Sequence, residues 1–138
     1  MYMKLENQLT SLELSKRLDE LGVKQDSLFY WIRNFHTNDD WKIGDNTDIN
    51  NNKDAVSRRL EPLYKVGASA YTVAELGEML PDGLHIMIRT DYMINKWYCE
   101  AEHIPSGVFR ERLHLETAKN EAEARAKMLV YLIENKLI

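Results

Sequence analysis

Between Asp82-Gly83 and Glu116 the chain runs through three stretches whose apolar residues recur at every second position, and that alternation confines the fold more than any other feature. Leu84, Ile86 and Ile88 alternate in the first stretch. Trp97, Cys99 and Ala101 alternate against Lys96, Tyr98, Glu100 and Glu102 in the second. Pro105-Ser106-Gly107 then turns the chain into Val108 to Glu116, where Phe109, Leu113 and Leu115 share a face. Short links and a single apolar face per strand predict an antiparallel meander with one side buried and the other wet.

Helices with marked ends bracket this meander. Before it, Thr72 and Glu75 have capping-box spacing, Val73, Leu76, Met79 and Leu80 form the apolar side, and Pro81 stops the helix. After it, Asn120 caps a helix running to Asn135, with Glu121 and Glu123 at its positive end and a stripe of Ala122, Ala126, Leu129, Leu132 and Ile133. A further helix spans Thr10 to Gly22, where Thr10 and Glu13 repeat the capping box and Leu14, Leu18 and Leu21 make the stripe. Ser27 to Arg33, rich in aromatic and β-branched residues, reads as a strand. From Asn38 to Asp54 the chain is dense in Asn and Asp, which favour turns, with a short strand around Trp41 to Ile43.

The expected order is helix, strand, loop, helix, three-stranded meander, helix: an α+β fold with an antiparallel sheet of about four strands packed against two to three helices. A chain of 138 residues with 44% hydrophobic and 29% charged residues is long enough to bury one core, so a single domain over 1–138 is expected, with a flexible Asn/Asp-rich loop at 38–54. Leu14, Leu18, Leu76, Ile86, Ile88, Trp97, Leu113, Leu129 and Leu132 are the expected core.

The residue chemistry argues against catalysis and against metal or cofactor binding. His36, His85, His103 and His114 are dispersed, and His85 and His114 fall on the expected wet faces of strands. A calcium loop starting at Asp48 would place Lys53 where Gly is required and Arg59 where Glu is required. Cys99, the lone cysteine, falls on an inward face beside Trp97, a setting for a buried thiol and not for a thiolate nucleophile. Neither a glycine-rich phosphate loop nor a GxSxG elbow occurs. No catalytic, cofactor or metal residues are therefore assigned. Met1 to Asn7 is too short and charged for a secretory signal, and no apolar run reaches the roughly 18 residues of a membrane span. A cytoplasmic protein without membrane contact is expected.

Nucleic acid is the alternative ligand. The run SLELSKRLDELGVKQDSLFYWIR resembles the opening of MerR-like helix-turn-helix domains, which implies contacts from Lys16 and Arg17, joined by Arg58 and Arg59 if the four form a stripe. Phe29, Tyr30 and Trp31 stand where a recognition helix needs polar side chains, and favour helix followed by strand. The C-terminal order, ending TAKNEAEARAKMLVYLIE, resembles that of double-stranded-RNA-binding domains. Lys119 is alone where that family carries a lysine cluster, and Glu121 and Glu123 follow it. With a net charge of −4, binding to duplex nucleic acid is not expected.

Three blocks, TSLELSKRLDELGVKQDSLFYWIRN, ASAYTVAELGEMLP and EAEARAKMLVYLIENKLI, occur in an order that resembles a family of small uncharacterised proteins of bacteriophages and prophages of Firmicutes and Bacteroidetes. The resemblance implies a mobile-element protein in the cytoplasm of a bacterial host and brings no known activity. The leading expectation is a non-enzymatic accessory protein that binds another protein.

Overall fold

The computed structural model describes residues 4–37, 39–81, 86–103 and 111–138. Its elements, after a short 3-10 helix at Leu5–Gln8, are α1 (Leu12–Glu20), β1 (Phe29–Asn34), β2 (Lys42–Asp45), α2 (Asn46–Ser57), β3 (Tyr64–Ala70) and α3 (Val73–Met79). The hairpins β4 (Ile86–Met93), β5 (Lys96–His103) and β6 (Glu111–Ala118) follow, then α4 (Glu121–Glu134). The class is α+β, as the pattern requires. The strands form two three-stranded sheets, in place of one sheet of about four. The chain packs as two compact units, one from the chain up to Thr10 with Thr72–Ile138, the other from Ser11–Tyr71.

In the Ser11–Tyr71 unit, β1 is central in the order β2-β1-β3 and antiparallel to both neighbours. The two edge strands are therefore parallel to each other and are joined through α2, a split β-α-β arrangement. Helix α1 packs against β3 and α2 against β2. The capping box expected at Thr10 is displaced by one residue: Ser11 is the N-cap, accepting the Leu14 amide at 3.3 Å, and Thr10 is buried. Gly22, at φ 87°, closes α1 in the left-handed conformation, as expected.

In the Asn/Asp-rich stretch the short strand expected around Trp41 to Ile43 is present as β2, whereas the part expected as loop beyond it is α2 up to its last turn. Its polar residues do the capping. Asp45 accepts the amides of Thr47 and Asp48, while the Asp48 carboxylate accepts the Asp45 amide, a reciprocal capping box. A Cβ on Gly44 would collide with the Ile32 side chain and lie 3.1 Å from the Asp48 carboxylate, so any other residue here would make Ile32 shift. Strand β3 lies where the sequence patterns mark no strand. Tyr71 follows it fully buried, its hydroxyl donating to the Lys24 carbonyl at 2.6 Å, and the Gln25 side chain accepts the Ser69 amide at 2.7 Å.

In the other unit the meander has the order β4-β5-β6, antiparallel throughout. Thr72 and Glu75 form the expected capping box on α3, and Asn120 caps α4 by accepting the Glu123 amide at 2.8 Å. Helix α4 packs on β5, β6 and α3, burying Ala122, Ala124, Ala126, Met128, Leu129 and Leu132. Small residues on the helix meet Cys99 and Ala101 on β5, both fully buried, so the layers approach closely. Of the expected core, Leu18, Leu76, Leu129 and Leu132 are buried, while Leu14, Ile86, Ile88, Trp97 and Leu113 are half-buried.

One face assignment is reversed. Leu115 pairs with Glu100, whereas His114 and Glu116 pair with the buried Ala101 and Cys99, so His114 faces α4 and Leu115 faces away. The register shift at Ala101/Glu102 accounts for this, because one extra residue exchanges the two faces of a strand. The expected turns at Asp82-Gly83 and Pro105-Ser106-Gly107, along with Leu84, His85, Val108 and Phe109, lie outside the described residues.

Candidate functional site

Among the described residues, the exposed large apolar side chains of the Ser11–Tyr71 unit are Leu28 and four others in the passage from α2 into β3. Val56 is 53% exposed, Leu60 62%, Leu63 50% and Val66 47%. Helical position explains Val56, since Ala55 takes the buried side of α2 and the next residue is turned by about 100° from it. The turn explains Leu60. Arg59 adopts φ 60° after the helix, its amide donates to the Val56 carbonyl, and the Leu60 amide donates to the Ala55 carbonyl at 2.9 Å. This is a Schellman closure with arginine where glycine is usual. The Asn52 side chain then fixes the connection: its carbonyl accepts the amides of Leu63 at 2.7 Å and Tyr64 at 3.0 Å, and its amide donates to the Tyr64 carbonyl at 3.2 Å. The leucines are thus displayed on a hydrogen-bonded frame. Exposed apolar side chains on an ordered backbone make this passage the candidate binding surface of the unit.

The basic residues considered for nucleic acid are divided between the helices. Lys16 and Arg17 lie on α1, against edge strand β3, and Arg58 and Arg59 follow α2, against the opposite edge strand β2. Two of the four are occupied within their own helices. Arg17 pairs with Glu20 at 3.1 Å, and Arg58 with Asp54 at 3.4 Å. Arg59 is the left-handed turn residue, and Lys16 lies over the Trp41 ring, 5.4 Å from its centroid. The segment after α1 is β1, so a strand stands where a recognition helix would.

Polar groups in the meander unit tie its layers together. Arg125 of α4 donates to Glu121 at 3.0 Å and to the Thr90 hydroxyl of β4 at 3.1 Å. The His114 ring stacks on Tyr131 with centroids 3.5 Å apart and an interplanar angle of 2°, and its Nε2 lies 2.8 Å from Glu116. Burial pushes the Cys99 thiol up to about 12, against the opposing influence of Arg125. A thiol so protonated is a poor nucleophile. Among the described residues no three His, Cys, Asp or Glu side chains converge as metal ligands, and no helix is long and apolar enough to cross a membrane.

Val56, Leu60, Leu63 and Val66 are not among the residues that the sequence patterns single out. The available signal was apolar residues flanking Pro62 outside any helical or strand period. No protein-family model, curated protein or solved structure matches the chain.

Proposed function

We propose that this chain is a non-enzymatic accessory protein, of the kind carried by phages and prophages in the cytoplasm of a bacterial host, and that it works by binding another protein. The observation that carries the reading is the exposed run of Val56, Leu60, Leu63 and Val66, within which Asn52 fixes the backbone at Leu63 and Tyr64. The three-block resemblance supports the mobile-element setting. Cys99 keeps its proton and His114 lies against the Tyr131 ring, arrangements that suit packing better than proton or acyl transfer. The helix-turn-helix alternative has less behind it, because Arg17 and Arg58 already have carboxylate partners.

Affinity capture from infected or lysogenic host cells tests the proposal, comparing the native chain with the double variant Leu60→Glu, Leu63→Glu. Both side chains are exposed, so the variant keeps its fold and its thermal unfolding. A host or phage protein retained by the native chain and lost by the variant is the expected result. Identical profiles for the two would defeat the assignment of this surface.

A further inference from the structure

Three cations and two aromatic rings come together elsewhere in the Ser11–Tyr71 unit. Arg33 of β1 and Lys65 of β3 are cross-strand partners, so two positive side chains stand directly opposite each other. Such a pair destabilises a sheet unless something anionic lies over it. The register continues from the Ile32–Lys42 pair to set Trp41 beside Arg33, whose guanidinium carbon is 4.9 Å from the indole centroid. Lys16 reaches the same ring from α1. Lys65 lies over Phe35, 5.8 Å from the ring centroid.

Two further facts separate this group from an ordinary charged surface. The Arg33 Nε is buried without a hydrogen-bond partner, and such an atom carries a desolvation penalty. Among the described residues no carboxylate pairs with Lys16, Arg33 or Lys65. The nearby Asp39 is directed elsewhere: hydrogen bonds from Thr37 and then Asn34 hold its carboxyl below the usual range, and the Asn34 side chain points to the side of β1 opposite Arg33. The Trp41 indole rests on Gly67, where a Cβ would come within 2.8 Å of the ring.

We propose that Lys16, Arg33 and Lys65, with Trp41 and Phe35, form a binding site for a short stretch of single-stranded nucleic acid. Alternating cations and aromatic rings suit a strand whose phosphates meet the cations while unstacked bases lie against the rings. Neighbouring strands lie about 4.8 Å apart, so the row from Lys65 to Trp41 matches only two or three nucleotides. A rigid duplex needs a longer basic face than this, whereas a flexible strand does not. Lys65 stands on β3 between Leu63 and Val66 of the apolar run, but successive side chains of a strand face opposite ways, so Lys65 and Val66 present different surfaces and failure of this site would leave the protein-binding proposal standing.

Fluorescence anisotropy with labelled oligo-dT, at about 50 mM salt, tests this. The expected dissociation constant is about 10⁻⁵ M, and with about three phosphates neutralised log K should fall against log salt with a slope near −2. Lys16 and Lys65 are exposed, so Lys16→Glu and Lys65→Glu retain the fold; each should weaken binding at least about fivefold and flatten the slope by about 0.7. Arg58→Glu, away from the site, should change affinity less than about twofold. The proposal is overturned by absence of binding up to about 10⁻⁴ M, or by equal effects of Lys65→Glu and Arg58→Glu. It is overturned equally by duplex DNA binding as tightly as oligo-dT, or by poly-glutamate displacing the oligonucleotide at matched charge, which would assign the site to an acidic protein segment.

Discussion

Cys99 shows how one residue's surroundings set both its chemistry and its share of stability. The unfolded chain loses the thiol proton near the ordinary value of 9.0, whereas the folded chain holds it to about 12. Between these values the unfolded state binds fewer protons, so folding stability declines as pH rises, by up to about 1.4 kcal/mol per pH unit. Chemical denaturation at pH values from about 8 to 11 should therefore show a shallower decline for Cys99→Ala than for the native chain. A thiol reagent at pH 8 should leave the native protein unmodified and label it once denatured; rapid labelling of the native protein would contradict the burial. The inward position of Cys99 was legible from the alternation with Trp97 and Ala101. The conformation of Ile94 was not. It sits with Asn95 at φ 51° and 61° in the β4–β5 turn, 88% exposed. Two-residue turns of this kind favour Asn or Gly, and the left-handed region is costly for a β-branched side chain. Ile94→Asn should stabilise the fold by about 1 kcal/mol, read as a higher denaturant midpoint at unchanged slope.

At the scale of elements, the sequence disclosed those stabilised by their own periodicity and concealed those stabilised by their neighbours. Helices α1, α3 and α4 each combine an apolar stripe with a capping residue, and each stands within a residue or two of its expected place. Helix α2 has almost no stripe: NTDINNNKDAVS buries only Ala55. Its ends are instead held by the Asp45–Asp48 box and the left-handed Arg59, and Asn52 ties it to β3. Strand β3 escaped notice because Gly67-Ala68-Ser69-Ala70 lacks the β-branched residues that announce a strand, its place being set by pairing with β1. The candidate surfaces were hidden for the same reason, since neither the exposed leucines beyond α2 nor the Arg33–Lys65 pair follows from local pattern. This contrast carries a measurable consequence. Leu132 is fully buried in α4, so Leu132→Ala should destabilise the protein by about 2–5 kcal/mol through lost contacts and a residual cavity. Thr72→Ala, which removes only a cap from α3, should cost about 1 kcal/mol. Equal losses in thermal or chemical unfolding would mean that α4 is not the packing centre of its unit.

For the molecule as a whole, the α+β class and the C-terminal helix–meander–helix order were legible, and division of the strands into two sheets was not, because pairing partners leave no mark in local alternation. Charge is the other property that only the whole molecule expresses. The net charge of −4 is distributed so that carboxylates occupy the helix starts where backbone amides would otherwise receive phosphate: Glu13 on α1, Asp48 on α2, Glu75 on α3, Glu121 and Glu123 on α4. Arg112 is committed to Glu100 at 2.7 Å and Arg125 to Glu121, as Arg17 and Arg58 are to their own partners. Lys127, midway along α4, donates to the Thr117 carbonyl at 2.9 Å. Every phosphate bound requires a cation on the contact face, and tight binding of a duplex requires several at once. The full chain should thus show no sub-micromolar affinity for duplex DNA or RNA in a gel-shift titration at about 150 mM salt. Sub-micromolar binding that weakens steeply with added salt would refute this, and would mean that a basic face is assembled from cations whose carboxylate partners let go.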